Sequence, residues 1–265
     1  MLCLGICRLI NKILLKDSSK NKPGVIMNKI TLDTFIQKYN LGGSVNSVKW
    51  ISDGTTLSTK FISGDKSLLG NVELKKQTLP VFEVGVYDTA LLGKMLNTLS
   101  DNISEFELKE VDGNPVALHL RDKVLSIDYV LAALGVIPDV PEMKSLPDFD
   151  TLVSLDSQFI NSFIKAKGAL GDVEHFTIEP KGNGVGFTIG YSDMNSNRIT
   201  LQAQSGAVNI SEPITFNANL FKEVLSANKE CSKAELQISD KGLAHVEFKV
   251  DDFVAKYWLV SQQAS

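Results

Sequence analysis

The chain has 265 residues, a formal net charge of −4, 43% hydrophobic residues and 22% charged residues. This composition excludes collagen-like, low-complexity and disordered classes, and the length suits two domains better than one small core. No run of about 18 apolar residues occurs, so the sequence predicts no membrane-spanning helix and no membrane partner. The acidic balance argues against a basic coat for nucleic acid, although the location of charge matters more than its sum. Three cysteines cannot build a disulfide framework and indicate a reducing, cytoplasmic compartment.

Residues 1–26 differ in character from the rest of the chain, because they are basic apart from one acid. Arg8 and Lys12 interrupt the apolar stretch of this segment, so its pattern does not match a secretory signal peptide. Its two cysteines have no histidine or second cysteine pair nearby, which argues against a metal site. We therefore expect a leader that is disordered or not native, and a working start at Met27.

Four short segments have the i, i+3, i+4, i+7 apolar spacing of an amphipathic helix. Each segment is about three turns long, too short to be stable alone, so each is expected to pack on a sheet. The predicted helices span 34–40, 89–99, 158–169 and 218–230. The candidate N-caps are Asp33, Asp88, Asp156, and either Asn217 or Asn219.

Between these helices, apolar and polar residues alternate with the period of two that is typical of strands. Turn residues at Asp53-Gly54, Asp112-Gly113 and Asp240–Gly242 predict three hairpins. The glycine-rich stretch 182–186 lacks the Lys-Ser/Thr pair of a phosphate-binding loop and lies between two strand patterns. We interpret it as a fourth hairpin.

The order of elements occurs twice along the chain, which predicts a tandem duplication. Phe35 and Phe159 begin the apolar pairs of the first helix in each copy, and Leu91 and Leu220 begin those of the second. Three prolines between the copies prevent regular structure and mark a connector. The sequence thus predicts an α+β fold with two tandem domains, each with two helices packed on antiparallel sheet. The expected boundaries are 27–131 for the first domain, 132–150 for the connector and 151–265 for the second domain.

Catalytic and metal-binding motifs are absent from the sequence. Each of the three histidines lies within a strand pattern, away from other ligand-type residues at ligand spacing. No G-x-S-x-G, H-E-x-x-H or Walker pattern occurs. We therefore expect no enzymatic activity, no metal and no cofactor.

Charge on the predicted helices is more informative. The four segments contain six lysines and only two acids, Glu223 and Glu230, in a chain that is acidic overall. Two explanations remain open: the lysines occupy ordinary solvent-facing positions, or all four helices face one phosphate-bearing partner. In the second case each lysine would neutralise a phosphate without reading bases. The candidate DNA-facing residues are Lys38, Lys94, Lys165, Lys167, Lys222 and Lys229.

Paired helix-and-sheet domains, a proline-bearing connector and lysine-faced helices resemble the DNA sliding clamps. This family of processivity rings includes proliferating cell nuclear antigen and the clamps of T-even-type phages. The local match is closest to the phage type: residues 82–88, running into 91–96, are similar to its strand and second helix. Residues 255–260 are similar to the final strand of both phage and eukaryotic clamps. The resemblance covers the layout of residues 27–263 and is weaker in sequence outside these segments.

The resemblance implies a ring of three chains that encircles duplex DNA without sequence preference and tethers the replicative DNA polymerase. It also implies a clamp loader as a partner and, for a phage protein, the host cytoplasm as the location. The ring would pair the last strand of the first domain with an edge strand of the second, at 124–131 and 197–204. The implied contact residues of this homotrimer are Ile127, Tyr129, Leu131, Ile199, Leu201 and Ala203.

The resemblance further implies an apolar pocket beneath the connector, which would bind tail peptides of the polymerase and the clamp loader. Ordinary packing of the core and connector explains each candidate residue equally well. The candidates are Val136, Ile137, Met143, Leu146 and Trp258.

Three other functions remain open on the sequence. A β-rich structural or assembly protein of a virion would explain the missing motifs, but not the lysine bias of the helices. A hydrolase with an unrecognised site would need polar residues that converge on strand ends, and the sequence indicates none. A monomeric processivity factor with the same two domains would differ from a ring in oligomeric state alone.

Overall fold

The computed structural model describes residues 27–143, 145–191, 196–205 and 208–262, and the expected leader lies outside these residues. The described chain contains four α-helices, two in each half. They are α1 (Lys29–Asn40), α2 (Thr89–Leu96), α3 (Ser157–Ala169) and α4 (Ala218–Ala227).

The strands of the two halves follow a similar order around these helices. The first half has β1 (Met27–Asn28), β2 (Val48–Asp53), β3 (Leu57–Ile62), β4 (Leu68–Leu74), β5 (Val81–Val86), β6 (Asn102–Ile103), β7 (Glu105–Val111), β8 (Asn114–Arg121) and β9 (Ser126–Val130). The second half has β10 (Thr151–Asp156), β11 (His175–Lys181), β12 (Gly184–Ile189), β13 (Ile199–Gln204), β14 (Ile214–Asn217), β15 (Lys233–Ser239), β16 (Leu243–Val250) and β17 (Phe253–Val260).

One antiparallel sheet of eight strands runs through both halves, in the order β10-β15-β16-β17-β4-β3-β2-β5. The two halves meet where β17 pairs with β4, with Leu259 opposite Leu68 and Phe253 opposite Leu74. Three smaller antiparallel sheets complete the described fold: β13-β12-β11-β14, β7-β8-β9 and β1-β6. Strand alternation sets the faces, because Ala255, Tyr257 and Leu259 of β17 are buried while Trp258 between them lies on the opposite face.

The four helices form a row in which α1 packs against α2 and α4, and α3 packs against α4. The row packs against the sheets, with α1 against β4, α3 against β10 and β13, and α4 against β11 and β14. Amphipathic stripes produce this packing, since Leu32, Phe35, Ile36 and Tyr39 of α1 are all buried. The structure therefore confirms the predicted α+β fold with two helices on antiparallel sheet in each half.

The predicted turns and caps agree with the structure except at one cap, and α2 and α4 each end three residues before the predicted ends at 99 and 230. Hairpins occur at all four expected turns, including the glycine-rich stretch between β11 and β12. Asp88, Asp156 and Asn217 cap their helices through side-chain oxygens that accept backbone N–H groups. The prediction of Asp33 as a cap is wrong, because α1 begins at Lys29 and Asn28 accepts the N–H of Ile30 at 2.8 Å. The apolar stripe begins about one turn after the first residue of the helix, so the start predicted from the stripe is too late.

Candidate functional site

The expectation that Lys38 faces solvent is wrong, because its side chain is 1% exposed. Its Nζ donates to the carbonyl of Ala227 at 3.0 Å, to Oδ1 of Asn228 at 3.0 Å and to the carboxylate of Glu230. These acceptors lie at the carboxyl end of α4, where the last carbonyls of a helix lack partners and attract cations. Lys38 of the first half therefore binds the helix terminus of the second half and is not available to DNA.

The same polar cluster continues into the sheet. Tyr257 on β17 donates its hydroxyl proton to the carbonyl of Lys38 at 2.8 Å, and its oxygen accepts from Nδ2 of Asn228 at 3.0 Å. Burial raises the pKa of Tyr257, so the hydroxyl remains protonated and can donate. We call Lys38, Asn228, Glu230 and Tyr257 the junction cluster. It ties α1, α4 and β17 together where the two halves meet.

Lys167, another of the candidate DNA-facing lysines, is also buried and only 3% exposed. Its Nζ donates to the carbonyls of Gly171 at 2.9 Å and Leu170 at 3.3 Å, just beyond the end of α3. Burial lowers the pKa of Lys167, and the nearby charge of Lys222 lowers it further. This lysine caps its own helix.

The remaining candidate lysines stay on the outside of the helix row. Lys94 on α2, Lys165 on α3 and Lys229 after α4 are exposed. Lys222 on α4 is partly exposed and pairs with Glu223 at 2.9 Å. The exposed surface of the helices also carries Ile30 and Leu91. The helix row is therefore less basic than the lysine count of the sequence suggests.

The strand β9, expected at a subunit contact, lies at an edge of its sheet and has no strand partner on its outer side among the described residues. Ile127 and Tyr129 point into the core of their own chain, and the hydroxyl of Tyr129 donates to the carbonyl of Asp88 at 3.1 Å. Leu131, next to the strand, packs partly buried against the same core. The edge can thus contact another chain through its backbone and through the exposed side chain of Val130. The sequence analysis missed Val130.

The other expected contact strand, β13, lies at the edge of the sheet β13-β12-β11-β14. Ile199 and Leu201 are partly buried and pack against the core, and Ala203 is buried. A single bridge between Val153 and Ser205 links the end of this strand to β10. Along the rest of β13, the described residues provide no second strand partner. Among the described residues, β9 and β13 are therefore open strand edges, one in each half.

The connector after β9 crosses the face of the eight-stranded sheet that lies opposite the helices. A Cβ on Gly85 of β5 would stand 2.6 Å from the carbonyl oxygen of Ala132, so glycine permits this close approach. Further along, Asp139 pairs with Lys49 of β2 at 3.2 Å, and the ring of Phe149 lies 6.0 Å from that of His245 on β16. The connector thus passes from one end of the sheet to the other.

The pocket candidates share this face but are spread along it. Ile137 is buried beside Gly85, whereas Val136, Met143 and Leu146 are exposed. Trp258 lies on β17, four strands away from β5, or roughly 19 Å at ordinary strand spacing. The structure therefore does not bring Ile137 and Trp258 into one small pocket.

The neighbours of Trp258 form a more compact apolar group, which the sequence analysis missed. Its ring stacks on His245 with centroids 4.9 Å apart, and Leu69 and then Ile62 stand opposite it across β4 and β3. Trp258 Nε1 and His245 Nε2 are buried and have no hydrogen-bond partner among the described residues. The adjacent apolar residues Leu68 and Leu69 could have signalled this group, since one of two neighbours in a strand must face outward.

The described ranges hold neither a metal-binding cluster nor a membrane-spanning helix. No three His, Cys, Asp or Glu side chains there are grouped so that they could hold a metal ion. In the same ranges, no helix has the length and apolar character needed to cross a membrane.

No protein-family model and no curated protein matches the chain. Among solved structures, the chain is similar to the crystal structure of proliferating cellular nuclear antigen from Entamoeba histolytica, with a TM-score of 0.69 and 16% sequence identity. The match covers 90% of this chain and 98% of that chain. The two chains share one fold. At this level of identity the likeness concerns the fold, and it agrees with the fold class expected from the sequence.

Proposed function

We propose that this protein is a DNA sliding clamp, a non-enzymatic ring that encircles duplex DNA and tethers a DNA polymerase. The observation that carries the proposal is a continuous row of four helices on one side of the sheets, with an open strand edge in each half. In this proposal, residues 27–131 and 151–265 are two clamp domains and residues 132–150 connect them. The phage-type assignment rests on the sequence segments 82–88 and 91–96 alone.

The two open edges support self-assembly into a closed homotrimer. Strands β9 and β13 belong to different halves, so their pairing joins the first half of one chain to the second half of the next. Such a head-to-tail contact is heterologous. It closes into a ring when the rotation from one chain to the next divides a full turn into a whole number of steps. It would also cover two strand edges that are otherwise templates for aggregation.

The helix row would line the hole of the ring. Of the six candidate lysines, Lys94, Lys165, Lys222 and Lys229 remain available there, because Lys38 and Lys167 are buried. A few lysine–phosphate contacts give weak, salt-dependent and sequence-independent attraction, which allows sliding. Retention on DNA would come from the closed ring and not from affinity.

The apolar group around Trp258 would bind the tail peptides of the polymerase and the clamp loader. Leu69 and Ile62 supply its apolar floor, and Phe149 of the connector borders it through His245.

The first test is the solution mass of the full chain over a range of concentrations, by light scattering behind a sizing column. We expect a species of three chain masses, each of 29.0 kDa, that dissociates on dilution. The trimer should remain on nicked circular DNA and slide off when that DNA is linearised. A monomer at every concentration would contradict the ring and leave a monomeric processivity factor or a structural protein.

The second test concerns the pore. We expect the triple charge reversal Lys94→Glu, Lys165→Glu and Lys222→Glu to abolish stimulation of DNA synthesis without unfolding the protein. The matched control reverses three exposed lysines away from the helices, Lys60, Lys75 and Lys241. Equal stimulation by wild type and the helix variant would contradict the assignment of the pore.

A further inference from the structure

Residues 1–16 lie outside the described ranges, and their sequence has the apolar spacing of an amphipathic helix. Five large apolar residues share one face of such a helix: they are Leu2, Ile6, Ile10, Ile13 and Leu14. Arg8, Lys12 and Lys16, spaced four apart, form a basic stripe on another face. A helix of this length is marginal alone, so its apolar face needs a surface on which to pack.

The apolar group around Trp258 offers such a surface, and it extends beyond the residues described above. Val260, two residues after Trp258 on β17, lies on the same face of the sheet and is 40% exposed. Leu243 on β16 stands opposite Val260 and is partly exposed. Leu69 and Ile62, also partly exposed, continue the group across β4 and β3. We call these five residues the apolar strip. A contiguous exposed apolar area of this kind marks a contact site.

Two exposed carboxylates border the apolar strip. Asp148 and Asp150 flank Phe149 in the connector, and the ring of Phe149 lies 6.0 Å from that of His245. His245 in turn stacks on Trp258. The strip therefore has negative charge beside it, which attracts a basic segment.

The lysines nearest the strip lie along one side of it. Lys256 precedes Trp258 by two residues on the same face of β17, and Asn71 and Lys60 continue its row across β4 and β3. A basic stripe directed at this row would be repelled. Charge therefore favours an orientation in which the basic stripe faces the connector.

The chain between the amphipathic segment and β1 is long enough to reach the strip. From its first residue to Lys38, α1 rises about 14 Å. The carbonyl of Lys38 accepts the hydroxyl of Tyr257, the residue before Trp258, at 2.8 Å. Residues 16–26 span up to about 36–40 Å when extended, more than twice that rise. The leader can therefore pass around the sheet to the strip of its own chain.

We propose that residues 1–16 pack their apolar face on the apolar strip of the same chain, with the basic stripe toward Asp148 and Asp150. The leader then covers the surface that tail peptides of the polymerase and the clamp loader would use, and it competes with them. This regulatory consequence rests on the proposed function, whereas the contact itself requires the single chain alone. Residues 1–26 thereby have a role, in place of the non-native leader expected from the sequence.

Tryptophan fluorescence of the full chain tests the contact. The chain has two tryptophans, and Trp50 is fully buried, so acrylamide quenching reports on Trp258. The double change Ile6→Asp and Ile10→Asp places charge on the apolar face of the leader and should release it. We expect a larger quenching constant for this variant than for wild type, because Trp258 loses its cover.

The matched control is the double change Leu4→Asp and Leu15→Asp. It places the same two charges in the same segment, but on the side of the basic stripe. This control should be quenched like wild type. Circular dichroism of the three chains checks that their folds are equal.

A labelled peptide of residues 1–16 tests the same surface from outside the chain, with fluorescence anisotropy as the measurement. The variant with Ile6→Asp and Ile10→Asp should bind this peptide at least about tenfold more tightly than wild type, because the attached leader of wild type competes at an effective concentration on the order of millimolar. Adding Val260→Arg to that variant should weaken peptide binding by about tenfold, since it places a like charge on the strip. Val254→Arg, on the same face of β17 but outside the strip, should not weaken it.

The outcomes separate this inference from the proposed function. If wild type and both double variants are quenched equally and bind the peptide equally, the leader contact is overturned, whatever the oligomeric state. If the chain is a monomer at every concentration but release of the leader exposes Trp258, the ring fails and the leader contact stands. A trimer in which Trp258 is quenched equally in all three chains keeps the ring and excludes the contact.

Discussion

The junction between the halves and the two open edges are built in opposite ways. At the junction, Lys38, Asn228 and Tyr257 are buried, and their polar atoms bond to one another. At the edges, β9 and β13 expose backbone, and Val124 and Val130 expose apolar surface, within the part of the chain that the structure describes.

This contrast shows that one region sets the arrangement within each chain and another is open for contact between chains. The angle between the halves is fixed inside each chain, because one sheet and one buried cluster cross the junction. The contact between chains is left to surfaces that are open in the single chain. A substitution at the junction should therefore change the stability of the chain, and a substitution at an edge should change association.

The largest effect is expected from Lys38→Met. The change removes the donor to Ala227, Asn228 and Glu230 and leaves three acceptors without it, which should lower the free energy of unfolding by about 2–4 kcal/mol. Urea unfolding followed by circular dichroism measures this loss. Lys94→Met removes an exposed lysine and should stay within about 0.5 kcal/mol of wild type. Equal stability of the two variants would show that the junction cluster contributes nothing.

A second comparison uses two lysines of one helix. Lys167→Met removes the donor to the carbonyls of Gly171 and Leu170 and should cost about 1–2 kcal/mol. Lys165→Met, two residues earlier and exposed, should be nearly neutral. Because helix propensity is the same for both changes, the difference in urea midpoint reports the buried position of Lys167 and its two hydrogen bonds. A larger loss for Lys165→Met would reverse the assignment of the two side chains.

At the edge, Val130→Asp should act in the opposite manner. The side chain is exposed, so the unfolding free energy should stay within about 0.5 kcal/mol of wild type. A buried charge beside the paired strands would nevertheless weaken self-association by about tenfold. Sedimentation equilibrium and urea unfolding of the same sample distinguish the two quantities. A loss of stability without a loss of association would contradict the expectation that edge residues affect association and not stability.

The smallest effect concerns pH. Burial lowers the pKa of His245, with Glu247 opposing and Lys256 adding to the shift. The folded state then binds fewer protons than the unfolded state. The stability that neutral His245 contributes is therefore complete above the ordinary pKa of about 6.5 and is lost as pH falls through the folded pKa. His245→Gln should therefore show a shallower fall of urea midpoint between about pH 7 and pH 5 than wild type. Parallel curves would exclude His245 as a source of the pH dependence.

Local features of the fold were predictable from sequence, because short-range patterns determine them. Apolar spacing predicted the four helices, and turn residues such as Asp112-Gly113, both with positive φ, predicted the hairpins. Candidate sites were less predictable. Lys38 has the sequence context of a surface lysine, and its acceptor at Ala227 lies 189 positions away.

The residues of the candidate peptide pocket were difficult to predict for the same reason, because long-range pairing places them. Ile137 lies in the connector and Trp258 on the terminal strand, and the resemblance to clamps implies a pocket between the two. The pairing of β17 with β4 places them four strands apart, and no local pattern in either strand encodes that pairing. The open edges were foreseen at β9 and β13, yet their exposed apolar side chains at Val124 and Val130 depend on turn geometry and strand facing.

The position of β17 has a consequence for synthesis of the chain. The last strand lies in the middle of the eight-stranded sheet, between β16 and β4, and not at its margin. While the ribosome is still translating, the first half emerges with one side of β4 unpaired. Leu74 lacks its strand partner until Phe253 has been synthesised. Such long-range pairing forms slowly and leaves an exposed strand in the meantime. We expect nascent chains that stall before residue 253 to depend on chaperones, and release of the final strand to complete the sheet.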